Sequence, residues 1–167
     1  MVPFNISPAT EADVPVILEM IRELAEFENL LHEVTVTETS LRDALFGPES
    51  VAKALLARDL DGAVAGYALY YRTFSTFAGR PGIFLDDLYV RPGYRRLGLG
   101  TALLIRVAKI ASEQDGRFEW IALGWNENAL RLYRSLGARV MKDWVLLRMQ
   151  PGQCRKLVNV FDDARSL

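Results

Sequence analysis

Six consecutive residues, Arg95-Arg96-Leu97-Gly98-Leu99-Gly100, carry the strongest chemical signal in this chain of 167 residues. They stand between a strand-like run ending at Val90 and the start of an apolar helix. Glycine lets backbone approach a ligand closely and adopt conformations closed to other residues. The first N–H groups of a helix point outward with partial positive charge, which suits a phosphate, and Arg91, Arg95 and Arg96 add attraction for a polyanion. A strand-to-helix turn that binds nothing can also read Gly-x-Gly, so the turn alone leaves both readings open. Neither Gly-x-Gly-x-x-Gly nor the Gly-Lys-Ser/Thr of a phosphate loop is present. A second signal is Asp86-Asp87 inside the otherwise apolar run Ile83–Val90. Carboxylates on a central strand are costly unless partnered, and strand alternation predicts that these two face opposite sides of the sheet. Proton transfer and structural satisfaction by backbone N–H groups are both open to them.

The elements that must position these residues follow from periodicity. Phe4 to Ser7 reads as a strand. Thr10, with Asp13 three residues on, caps a helix whose apolar face is Val14, Ile17, Ile21 and Leu24. Thr37 to Phe46 reads as a second helix. Val51–Arg58 and Ala63–Arg72 read as strands joined by a turn, Thr73–Gly82 as a polar loop, and Ile83–Val90 as a strand. A long, largely apolar helix runs to about Gln114, which requires cover on more than one side. Phe118–Gly124 reads as a strand, Asn126–Leu136 as a helix ending at Gly137, and Arg139–Met149 as a final strand; residues 150–167 are weakly patterned. This order predicts an α/β fold with a mixed sheet.

Composition sets the outer bounds. Half of the residues are apolar and a quarter charged, with 20 Lys and Arg against 21 Asp and Glu and a net charge of −1. That balance argues against wholesale nucleic-acid binding, which needs a concentrated positive field. One cysteine (Cys154) and one histidine (His32) provide neither an internal disulfide nor a His-rich metal site. No apolar run reaches membrane-spanning length, and the start lacks the blocks of a signal peptide. The expectation is a single domain over 1–167, cytoplasmic and metal-free. Between Glu11 and Glu33 there are seven acidic residues and one basic residue, which reads mainly as a solvated face.

Arg95-x-x-Gly98-x-Gly100 after a strand resembles the acetyl-CoA signature of the GNAT acetyltransferase superfamily. Further stretches extend the likeness: Ile6-Ser7-Pro8-Ala9-Thr10-Glu11-Ala12-Asp13, Tyr70 to Phe77, Trp125-Asn126-Glu127, Tyr133 and Leu136-Gly137-Ala138. These resemble the diamine acetyltransferase branch, which holds spermidine/spermine acetyltransferase and its thialysine-acetylating relative. The likeness runs collinearly over about residues 4 to 149. It implies a twisted sheet splayed in the middle and flanked by helices, with acetyl-CoA entering between the fourth and fifth strands. It also implies a small-molecule amine substrate and a homodimer.

Carried over by position, Leu88, Tyr89 and Val90 meet the pantetheine through backbone bonds. Arg95, Arg96, Leu97, Gly98, Leu99, Gly100 and Thr101 wrap the pyrophosphate, and Asn126, Glu127, Asn128 and Ala129 line the same ligand. Asp86 stands where the branch has a glutamate base acting through water, and is one methylene shorter. Tyr133 matches the general acid beside the sulfur; read without the likeness it is an apolar-face residue. Phe27, Glu28, Ser75 and Asp86 fall at substrate-contacting positions. Polyamine-preferring members carry an acidic residue where Ser75 stands, and tryptophan where Phe77 stands. Their replacement implies an amino-acid-like or short diamine substrate. A protein lysine or N-terminal acetyltransferase and a non-catalytic acetyl-CoA-binding module are the alternatives.

Overall fold

Residues 4–165 are described in the computed structural model, in which the chain forms two compact units, Met1–Ile121 and Ala122–Leu167. In the first unit, β1 (Asn5–Pro8), α1 (Val14–Phe27), α2 (Glu38–Phe46), β2 (Lys53–Arg58), β3 (Val64–Ser75), β4 (Arg80–Val90), α3 (Leu99–Ser112) and β5 (Phe118–Trp120) follow in order. The five strands lie side by side as β1-β2-β3-β4-β5. Neighbours are antiparallel except β4 and β5, which are parallel. A parallel pair needs a crossover, and α3 supplies it.

Thr10 and Asp13 set the entry to α1, since the Thr10 backbone N–H and hydroxyl donate to Asp13 Oδ2 at 2.8 and 2.9 Å. Pro15 stands in the first turn, where its missing N–H costs nothing. Val14, Ile17, Leu18 and Met20 of α1 then bury against Leu56, Tyr67, Leu69 and Tyr89 of the sheet, with Leu41 and Leu45 of α2. The helix α3 packs on β3 and β4 and buries Leu99, Leu103, Leu104, Val107 and Ala111. Truncating the fully buried Leu103 to alanine costs about 3 kcal/mol.

β4 is irregular in one place. Leu69 pairs with Asp87 and Tyr70 with Leu85, so β4 holds one residue more than β3 opposite it. Phe84 lies across from Tyr71 and Asp87 across from Leu69. Tyr71 and Leu69, two apart, share a face of β3, so Phe84 and Asp87 share that face although three apart. The bulge therefore resets the alternation at Asp86. The expected opposite orientation of Asp86 and Asp87 rests on an unbroken count, and that count does not hold here. β5 pairs with β4 only from Ile83 to Leu85. From Asp86 to Val90, β4 has β3 as its single strand neighbour among the described residues.

Three other expectations change. Thr73–Gly82 is mostly strand: β3 and β4 continue to Ser75 and Arg80 and close through a turn. Ser75 Oγ accepts from the Ala78 N–H and Ser75 O from Gly79 N–H, and Gly79 takes φ 65°. Phe118–Gly124 shortens to Phe118–Trp120. Arg139–Met149, read as a strand from its apolar residues, has no strand geometry. A strand needs a neighbouring backbone to bond, and the sheet has no sixth member among the described residues.

The second unit contains α4 (Glu127–Ser135) and α5 (Pro151–Arg165). Asn126 caps α4 by accepting from Ala129 N–H at 3.2 Å. Gly137 ends it at φ 93°, with Ala138 N–H donating to Tyr133 O. No described helix is long and apolar enough to cross a membrane.

Candidate active site

The inner half of β4 carries the acidic chemistry. Asp87 points to the α1 face, where the hydroxyl of fully buried Tyr67 donates to its Oδ2 at 2.9 Å. Burial pushes the Asp87 carboxyl up to about 6; the Tyr67 bond works against that rise, and the neighbouring Asp86 and Glu28 charges add to it. Tyr67 is raised well above the ordinary phenol value, by burial first and then by Asp87, Asp86 and Glu28. Glu28, the C-cap of α1, is raised by burial. Asp86 is exposed, and its charge also raises Tyr71, after burial. Tyr71 stacks on Phe84 at 5.2 Å. Asp86, Asp87 and Glu28 thus form one acidic neighbourhood bordered by aromatic rings, suited to an ammonium group and to proton transfer from it.

The turn after β4 has the opposite character. Arg96 and Gly98 both take left-handed φ, 63° and 84°. Gly98 is the N-cap of α3 and supplies no side-chain cap, so the Leu99, Gly100 and Thr101 N–H groups begin the helix with no cap upon them. A Cβ at Gly98 meets nothing within 4 Å, and one at Gly100 meets only Val90 Cγ2 at 3.8 Å. The φ of Gly98 therefore explains that glycine, whereas the protein's own packing does not demand Gly100. Together with the strand-free edge of Leu88, Tyr89 and Val90, this turn fits an extended ligand ending in phosphates.

The arginines divide unequally. Arg91 donates from Nε and its terminal nitrogen to Glu23 at 2.8–3.2 Å, pairs with Glu19 at 3.0 Å, and donates to Val64 O. It is committed to α1, so it does not add to the polyanion attraction expected of it. Arg95 donates to Val90 O at 2.9 Å and lies over the Phe27 and Tyr89 rings at 5.1 and 5.6 Å. It joins the glycine turn to the end of α1 that carries Phe27 and Glu28. Arg96 and Leu97 stand exposed. The acidic residues from Glu11 to Glu33 are mostly exposed, as expected of a solvated face, although Glu11, Asp13, Glu19 and Glu23 also pair with Arg42, Arg58 and Arg91.

Ser75 is not brought to this acidic neighbourhood within one chain. It pairs with Arg80, six residues from Asp86, or about 20 Å along a strand. In the second unit, Asn126 is occupied as a cap and Asn128 accepts from Arg131 at 2.6 Å. Glu127 is exposed, while Ala129 and Tyr133 are half-buried. Sequence reasoning did not pair Tyr67 with Asp87, because only strand register links positions twenty residues apart. No group of three or more His, Cys, Asp or Glu suited to a metal occurs among the described residues.

Comparison with known proteins agrees with this geometry. Residues 18–138 match the acetyltransferase (GNAT) family. The chain is 37% identical to the thialysine N-epsilon-acetyltransferase of Mus musculus over 164 residues, covering 92% of this chain and 96% of that protein. It is 32% identical to an L-ornithine N5-acetyltransferase of Arabidopsis thaliana, covering 87% and 83%. An integron cassette protein from the mobile metagenome of V. cholerae superposes with a TM-score of 0.76 at 24% identity, covering 93% of this chain and 97% of that one. By both the family match and these identities, the chain belongs to the acetyltransferase (GNAT) family.

Proposed function

We propose that this protein transfers the acetyl group of acetyl-CoA directly to the primary amine of a small cationic or amino-acid-like substrate, such as thialysine, a lysine analogue or a short diamine. The observation that carries the reading is the continuity of two features on one strand. An acidic bulge at Asp86-Asp87 runs along the open edge Leu88–Val90 into the uncapped start of α3. Names of the relatives support the amine class: thialysine and L-ornithine acetyltransferases are both similar to this chain over most of its length.

In this reading, Leu88, Tyr89 and Val90 bond the pantetheine by backbone, and the turn from Arg95 to Thr101 holds the pyrophosphate, with Asn126 to Ala129 contributing from α4. Phe27 and Glu28 flank the amine. Asp86, through a water molecule, takes the proton that an alkylammonium of pKa about 10.4 must lose. The freed nitrogen bonds to the carbonyl carbon, the carbon–sulfur bond breaks, Tyr133 donates its proton to the departing thiolate, and the nitrogen's second proton passes to water, from which the Tyr133 phenolate is reprotonated. No protein nucleophile takes part. The reading includes a homodimer and a cytoplasmic location.

An amine panel tests it. Thiol release from acetyl-CoA is followed with thialysine, lysine, ornithine, short diamines, spermidine and a lysine peptide. Thialysine, lysine or ornithine is expected to turn over faster than spermidine or the peptide. Spermidine acetylated far faster than thialysine or lysine overturns the substrate class. Peptide preference favours the protein-acetylating alternative, and acetyl-CoA binding without any turnover favours a non-catalytic module.

A further inference from the structure

Asp87 has no part in the transfer just described, yet the fold goes to some expense to keep it. Its carboxylate lies against the α1 layer at the point where β4 carries its extra residue, and Tyr67, wholly buried, has its hydroxyl on Asp87 Oδ2. The titratable groups around it come from three elements and the turn after β4. Tyr67 of β3, Asp86 of β4 and Glu28 at the C-cap of α1 act on it directly; the same elements also carry Tyr71, Tyr89 and Glu23, and the turn carries Arg91 and Arg95. Both arginines are engaged elsewhere, Arg91 on Glu19 and Glu23, Arg95 on Val90 O and two rings. Among the described residues no cation forms an ion pair with Asp87. A buried carboxylate without a cation opposes folding. Asparagine could accept the same Tyr67 hydrogen bond without a charge.

We propose that Asp87 is a positioning residue for acetyl transfer: pinned by Tyr67, it fixes the bulge that presents Asp86, and its negative charge keeps Asp86 basic. This rests on the proposed function above. While Asp87 is ionised, its field opposes further negative charge on Asp86 and so strengthens Asp86 as a proton acceptor. When Asp87 takes up a proton, that support is lost. The acidic limit of the reaction then belongs to Asp87, whose carboxyl stands at about 6.

The test is the pH dependence of kcat and KM for wild type, Asp87→Asn and Tyr67→Phe, using the best amine of the panel, with a melting curve for each protein. Wild type is expected to lose kcat as pH falls through about 6. Asp87→Asn keeps the hydrogen-bond acceptor but not the charge. Its kcat at neutral pH is expected to fall about tenfold, with the acetyl-CoA KM unchanged and the limb near 6 gone. Tyr67→Phe keeps the charge and removes the donor that lowers Asp87, so its limb moves toward neutral pH. Carboxyl-carbon NMR of Asp87 in wild type and Tyr67→Phe reads the same displacement without turnover, and decides the matter if Asp87→Asn fails to fold. Wild-type kcat and an unmoved limb in Asp87→Asn, or an unmoved Asp87 midpoint in folded Tyr67→Phe, overturns the proposal while leaving the proposed function standing. A wild type that acetylates no amine overturns both.

Discussion

The two ends of β4 solve opposite problems. At the bulge, the Tyr67 hydroxyl donates to Asp87 Oδ2 on the α1 face, while burial and the Asp86 and Glu28 charges oppose ionisation of Asp87. At the turn, Arg96 and Gly98 hold left-handed backbone and α3 begins without a side-chain cap, so N–H groups are left for something else to accept. Charge follows the same division. Arg91, which looks in sequence like part of a phosphate-attracting cluster, is used to hold α1, whereas the turn offers the backbone N–H groups at the start of α3 and the exposed Arg96. One end is tuned by burial and the other by geometry, and substitutions should separate them.

The largest effect belongs to the bulge. Asp86→Asn is expected to lower kcat about 100-fold or more, the scale of a lost general base, in a steady-state assay at saturating acetyl-CoA. Full activity would assign proton removal elsewhere. Arg91→Ala comes next and should act on stability: loss of its Glu23, Glu19 and Val64 bonds is expected to cost about 2 kcal/mol in denaturant unfolding, with the acetyl-CoA KM within about twofold. A tenfold rise in KM at unchanged stability would return Arg91 to the phosphates. At Gly100, where the fold leaves room for a methyl group, Gly100→Ala should preserve the melting temperature and raise the acetyl-CoA KM about tenfold, or about 1.4 kcal/mol. Unchanged KM would mean that no ligand approaches there.

The remaining effect is in stability against pH. Asp87 is raised to about 6 from 3.8, so its contribution to stability is fully present below the unfolded value and is lost as pH rises through about 6. Asp87→Asn removes that loss. The melting temperature of the variant should therefore gain on wild type as pH is raised from about 4 to 7. Parallel curves would show that burial at Asp87 carries no such penalty.

What the sequence makes legible is what is local. The spacing of Val14, Ile17 and Ile21 yields α1, and Gly98 to Gly100 marks the strand-to-helix turn, because each depends on a few adjacent residues. The bulge at Asp86 is not legible, since alternation is counted along one strand while an inserted residue exists only relative to β3. Arg91 meets Glu23 across 68 positions, and composition cannot tell a paired arginine from one awaiting a ligand. Pro81 and Gly82 read as strand breakers, yet β4 tolerates them because β5 begins pairing only at Ile83. At Arg139–Met149 the error runs the other way: apolar residues suggest a strand, but no strand forms there, and the sheet has five members among the described residues.

The central claim is that the bulge performs proton transfer while the turn binds the acyl carrier. Calorimetric titration of CoA into wild type and Asp86→Asn, alongside the turnover of both, tests it most directly. Equal CoA affinity with turnover abolished in the variant is the predicted result. Affinity and turnover lost together, or both retained, would contradict it.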